Sequence, residues 1–313
     1  SLGLSKKDIL WTTPISFVAS SNCGIYCGSK VDFVDIDKDT FNICSKQLEI
    51  KLKKTPKNQL PTVVVVVHLS GHPANLKEIK KLSRKYNFKI IEDASHALGS
   101  FYENSPIGNC KYSDICIFSF HPIKIITTGE GGALLTNSKK IFKKFSLLRS
   151  HGINKNIKSK SNPWFYDQIS LGYNYRMNEI EAALGISQLK KLEKFLKERD
   201  KISKIYQKYL NYNNLTSQKL NENCKSSLHL FIIRVKSSKR NLIQSELKKN
   251  YINTNLHYIP IYRHSFYRKY GFKYSNFKNA EKYYKEAISL PMYCGLKKNT
   301  QMKIINIINK ILI

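Results

Sequence analysis

The sequence predicts an α/β protein: a mostly parallel sheet flanked by helices, followed by a smaller α+β domain at the C-terminal end. From Ile9 onward, short apolar runs alternate with amphipathic stretches, the pattern of strands joined by crossover helices. Several of the runs, above all Val63 to Val67, are apolar throughout, as strands covered on both faces must be. A polar, Asn-rich segment from Asn211 to Ser227 then separates this pattern from a second one, dividing the chain into domains at 1–210 and 211–313.

In chain order, the expected strands are Ile9 to Thr13, Val31 to Val34, Thr62 to Val67, Lys89 to Glu92, Ile115 to Ser119 and Ala133 to Thr136. Leu76 to Tyr86 carries Leu76, Ile79 and Leu82 at helical spacing and reads as a crossover helix, as does Ser138 to Arg149. A long helical stretch runs from Asn178 to Leu210, with Ile180, Leu184, Leu192 and Phe195 among its apolar positions. The second domain is expected to hold a strand at His229 to Val235 and helices near Arg240 to Asn250, Asn279 to Ala287 and Asn299 to Leu312. No internal repeat and no low-complexity tail interrupts this order.

Composition narrows the function classes. A hydrophobic share of 42% over 313 residues supports a folded core. The net charge of +31 is large, and its sharp reading is a polyanionic partner. Lysine is spread from Lys6 to Lys310, however, together with abundant Ile, Asn and Tyr, which fits a diffuse solvated surface better than a nucleic-acid footprint. Seven cysteines without C-x-x-C pairs or histidine partners at metal spacing suit reduced thiols in a cytoplasm, with no metal. The longest apolar run is too short to cross a bilayer, and no signal peptide opens the chain.

The chemistry concentrates between Ile90 and Asn137. Asp93 closes a buried strand, and in open α/β sheets ligands gather outside the carboxyl ends of strands. A second strand ends at Ser119, and Lys124 follows five residues later in a turn rich in Pro, Thr and Gly. A converging acid and lysine suit pyridoxal phosphate: a primary amine forms the imine with its aldehyde, and a carboxylate keeps its ring nitrogen protonated. Singly, the competing readings are a solvated lysine and a helix N-cap; the joint pattern favours the cofactor.

That block, I-I-E-D-A-S-H-A-L-G followed by S-F-H-P-I-K and G-E-G-G, resembles the fold-type I sugar aminotransferases of the DegT family. The likeness continues in T-T-P-I-S-F-V-A-S at Thr12 to Ser20, L-R-S-H-G-I at Leu148 to Ile153 and G-Y-N-Y-R-M-N-E at Gly172 to Glu179. It implies Lys124 as the Schiff-base lysine and catalytic group, Asp93 as pyridinium partner, His96 beside the ring and Ser119 as a phosphate or substrate contact. It also implies that Asn174 reaches the cofactor phosphate of a neighbouring subunit, hence a homodimer with shared active sites. A packed core histidine and an ordinary turn residue are the competing readings at His96 and Asn174.

Within the family, N-C-G-I-Y-C-G at Asn22 to Gly28, P-W-F-Y-D-Q at Pro163 to Gln168 and N-L-H-Y-I-P-I-Y at Asn255 to Tyr262 resemble the members that act in pseudaminic acid biosynthesis. The implied reaction moves an amine from L-glutamate to C4 of a UDP-linked 2-acetamido-2,6-dideoxy-4-keto hexose, with His257 and Tyr258 as substrate contacts. A strand edge packed beneath the domain competes at those two residues, and another sugar or nucleotide is the alternative substrate. The opening S-L-G-L-S-K-K-D resembles a point inside the family's large domain, so roughly 60 upstream residues, with a phosphate-cradling turn, are expected to be missing; such a fragment would bind cofactor weakly.

Overall fold

The computed structural model describes residues 1–154, 162 and 164–313. Its centre is a six-stranded sheet built from β1 (Ile9–Thr12), β2 (Lys30–Phe33), β3 (Val63–Val67), β4 (Lys89–Asp93), β5 (Ile115–Ser119) and β6 (Gly132–Leu135). The order across the sheet is β2-β1-β3-β4-β5-β6, parallel throughout except for the last pair. β3 lies in the middle with all five valines buried, which is why its sequence shows no polar alternation. Each strand expected from the sequence is present, Ile115 to Ser119 with the same ends and the others with ends shifted by at most two residues.

Helices α1 (Ala19–Tyr26), α2 (Ser45–Lys54), α3 (Leu76–Tyr86) and α4 (Lys139–Arg149) connect or follow these strands. α3 is bounded by local chemistry: the Asn75 side chain accepts from the Glu78 amide at its start, and Asn87 takes a left-handed conformation at its end. The stretch from Asn178 to Leu210 is two helices rather than one. α5 (Glu179–Leu189) begins with a capping box between Asn178 and Glu181, and α6 (Leu192–Tyr209) starts after a break at Lys190 and Lys191.

A three-stranded antiparallel sheet of β7 (Leu215–Ser217), β8 (Phe231–Val235) and β9 (Ala287–Leu290) follows, in the order β7-β8-β9. It packs with α7 (Ser237–Lys249), α9 (Lys298–Leu312) and the second half of α6 around Ile202, Tyr206, Ile243, Leu247, Ile304 and Ile308. α8 (Lys278–Glu286) packs elsewhere. It places Ala280 and Tyr283 in a core shared with Ile15, Phe33, Phe41 and Leu69 from the first sheet's surroundings.

The Asn-rich segment is more structured than a free loop. Cys224 and Lys225 pair with Phe101 and Tyr102, and Gln218 and Asn221 donate to backbone carbonyls of Thr40 and Pro73. Of the Pro163 to Gln168 motif, Pro163 lies outside the described residues. No helix among the described residues is long and apolar enough to cross a membrane.

Candidate active site

Register places the acid. Asp93 is the last residue of β4 and pairs with Val67 on one side and Ile117 on the other, two residues before Ser119 ends β5. The two strand ends are therefore neighbours. The Asp93 carboxylate is held by hydroxyls on both oxygens: Ser20 on α1 donates to Oδ2 at 2.6 Å, and Ser95 donates to Oδ1 at 2.6 Å. The two hydroxyls fix the orientation of the carboxylate at the strand end. Among the described residues, no group of three or more His, Cys, Asp or Glu side chains is placed to hold a metal.

The turn after β5 is stapled to the strand. Thr128 N–H and the Thr127 hydroxyl both donate to the Phe120 carbonyl, at 2.9 and 3.0 Å, and Lys124 N–H donates to the His121 carbonyl at 2.9 Å. This half-buries Lys124 and brings its charge within electrostatic range of Asp93, His96, His229 and His257. Burial pushes the Lys124 ammonium below its ordinary pKa, and the Asp93 charge opposes that shift. A lysine poised this way reaches the nucleophilic free amine more readily than a surface lysine does.

His96 is buried one turn past Asp93. Its Nδ1 accepts from the Ser70 amide at 3.3 Å, which assigns the proton of the neutral ring to Nε2, 3.1 Å from the Tyr258 hydroxyl. Burial, followed by the charges of His229, Lys124 and His257, holds His96 well below the ordinary histidine pKa. The His229 ring packs against it, tilted by 38° with ring centroids 4.3 Å apart. His257 bonds through Nδ1 to the Ser289 hydroxyl at 2.9 Å, and burial with the Lys124 charge lowers its pKa to about 4. A cavity of about 240 Å³ opens beside it, lined by Asn253, Asn255, Ser289 and Met292 among others.

The structure thus gathers Asp93, His96, Lys124, His257 and Tyr258 around one site, with Ser119 on the strand end beside Asp93. Asn174 stands apart: it is exposed and bridges to Ser150 on a hairpin-like segment. Ser20, Ser95, Ser70 and His229 join the site without having been singled out by sequence. Ser95 lies inside the motif and could have been found there; Ser20 closes the quoted Thr12 to Ser20 motif, but nothing local ties it to Asp93, 73 residues away (93 − 20), and His229 lies 136 residues away (229 − 93) in no quoted motif.

An amine and a carboxylate at adjacent strand ends of a mostly parallel sheet define a class, the pyridoxal-phosphate-dependent enzymes of fold type I. The half-buried lysine, the hydroxyl-braced Asp93 and two buried polar atoms left without a partner among the described residues, Ser70 Oγ and His229 Nδ1, fit that cofactor. The chain belongs to the DegT/DnrJ/EryC1/StrS aminotransferase family, which it matches over residues 1–309. It is 41% identical over 298 residues to the UDP-4-amino-4,6-dideoxy-N-acetyl-beta-L-altrosamine transaminase of Campylobacter jejuni, an alignment covering 94% of this chain and 76% of that one.

Among solved structures it is similar to Helicobacter pylori PseC, an aminotransferase of pseudoaminic acid biosynthesis, with a TM-score of 0.89 and 33% identity over 99% of this chain and 83% of that one. The PMP form of the sugar aminotransferase Spr1654 from Streptococcus pneumoniae superposes with a TM-score of 0.90 at 27% identity, covering 99% of this chain and 83% of that one. The protein is a pyridoxal-phosphate-dependent sugar aminotransferase.

Proposed function

We propose that this enzyme transfers the amino group of L-glutamate to C4 of a UDP-linked 2-acetamido-2,6-dideoxy-4-keto hexose, giving the 4-amino sugar and 2-oxoglutarate. The observation that carries the reading is the half-buried Lys124 lying within electrostatic range of Asp93, joined to the 41% identity with the Campylobacter transaminase. Bound there, the cofactor supplies an electron sink for a carbon losing its proton.

In this reading Lys124 would hold the cofactor through its amine, and the same amine, when free, would serve as the proton carrier of the site. Asp93 keeps the ring nitrogen charged, His96 lies beside the ring, and Ser119 contacts phosphate or substrate. His257 and Tyr258 line the sugar's side of the site. Asn174 reaches the cofactor phosphate of a second subunit, so the active unit is a homodimer. The reaction runs in the cytoplasm, where the seven free thiols stay reduced. The division of the chain at residues 210 and 211 belongs to the same reading, the first part holding the cofactor and the second closing over the sugar.

The test is amination by the purified chain, supplied with pyridoxal phosphate, L-glutamate and a UDP-linked 4-keto sugar, followed by mass spectrometry of the sugar and assay of 2-oxoglutarate. A mass change from ketone to amine is expected. Turnover of only dTDP- or GDP-linked ketones would defeat the substrate assignment.

A further inference from the structure

One buried cation has no part in the roles above. Arg199, on the first half of α6, is 6% exposed, and no carboxylate among the described residues forms an ion pair with it. Its Nη1 turns to three backbone carbonyls instead, those of Leu228 at 3.1 Å, His229 at 3.1 Å and Met292 at 3.0 Å. Burying a cation is costly unless dipoles replace the lost water; three carbonyls do so at Nη1, while Nε is buried without a partner among the described residues. Leu228 and His229 lead into β8, and Met292 follows β9. One side chain therefore fastens the ends of two adjacent strands to a helix.

The fastened segments carry the second wall of the site. The His229 ring lies against His96, and Ser289 on β9 holds His257. His229 is gripped from both sides of its peptide unit: its carbonyl accepts from Arg199, and its amide donates at 2.8 Å to the carbonyl of Ser70, whose own amide donates to His96 Nδ1. The charges facing His229 are those of Lys124, Arg199 and His257, all acting after burial to oppose its protonation, and the neutral His96 ring covers one face.

We propose that Arg199 is a positioning residue of the active site: its guanidinium clamps three carbonyls so that His229 presses on His96 and keeps it the neutral tautomer that donates from Nε2 to Tyr258. The inference rests on the site assignment proposed above, and Arg199 acts only through His229 and His96. A lysine in its place keeps the charge, but its one nitrogen sits on a flexible stem and not at the tip of a rigid plane, so it separates geometry from field.

Nitrogen NMR of the histidine rings in the cofactor-free chain reads the clamp directly, beside the rate of the half-reaction with L-glutamate in the loaded enzyme. In the wild type, His96 is expected to be protonated at Nε2 and bare at Nδ1 at neutral pH. Arg199→Lys should mix the two His96 tautomers and lower kcat about tenfold while the bound cofactor keeps its absorbance, the size of effect that slight misplacement of a reacting group brings. Arg199→Met should, in addition, raise the pH at which His229 titrates.

His96 and His229 signals unchanged in Arg199→Lys would overturn the proposal, as would a rate loss that follows only the folded fraction. Arg199→Lys decides the matter even where Arg199→Met fails to fold. If the wild type itself shows no reaction with an amino donor, the functional reading falls, whereas the ring signals still decide the clamp.

Discussion

At the level of single residues, the site depends on one amine whose environment is at odds with its charge. Burial disfavours the Lys124 ammonium while Asp93 favours it, and the balance lowers its pKa from the ordinary value. Lys124→Ala removes the nucleophile and the proton carrier together. The expected loss in amino transfer is about 10²- to 10⁴-fold from the proton-transfer role alone, with no borohydride-fixed cofactor found by peptide mapping; a variant that transaminates at the normal rate would sink the assignment. That Lys124 and Asp93 would lie within electrostatic range of one another was legible in the sequence, because one ends a strand and the other follows the neighbouring strand within one block. The hydroxyl that braces Asp93 from Ser20 and the ring that covers His96 from His229 were not, because only the closed fold brings such distant positions together.

Among the elements, strands proved easier to read than helices. A strand buried on both faces announces itself by an unbroken apolar run, as β3 does. α1 escaped because its Ala, Ser, Asn, Cys and Gly residues form no apolar stripe, and its buried positions are Ser20, Ser21 and Gly24. β9 escaped because its four residues, all buried, directly continue the pattern of α8. The joint between elements that matters most is Gly71, where the turn after β3 meets the segment before β8. Its φ is +87°, and a Cβ there would lie 2.2 Å from Ser227 Oγ and 2.7 Å from the His96 carbonyl oxygen. Ser227 donates to that same carbonyl, so the clash falls on the bond that ties the segment before β8 to the His96 loop. Gly71→Ala should therefore cost more than about 2 kcal/mol, since strain at positive φ adds to the displaced contact. Urea unfolding checks this, and an unchanged midpoint would contradict it.

For the whole molecule, two consequences follow from what is buried and what is not. His72, His96 and His229 are all buried with folded-state pKa values below the ordinary 6.5, mainly through desolvation. The unfolded chain thus binds protons that the folded chain refuses. Their contribution to stability is complete above about pH 6.5 and is lost as pH falls towards the folded values, by up to about 1.4 kcal/mol per pH unit for each ring. The guanidinium midpoint should drop steeply between pH 7 and pH 5; a flat profile would contradict the burial. The outside carries the opposite anomaly. Trp164, Leu171, Tyr175, Ile180 and Ile186 are 61–84% exposed, all on the segment that holds Asn174 and α5. The apolar residues expected of this helix from its sequence turn outward within the single chain, exposed in the way that the proposed association between two copies requires. A second copy seated there would bury it and bring Asn174 towards the neighbouring cofactor, as the proposed homodimer requires. Sedimentation should give about twice the 36.2 kDa of one chain. Ile180→Glu should shift the protein to monomers and lose activity with them, because a carboxylate cannot be buried there unpaired; a fully active monomer would refute the shared site.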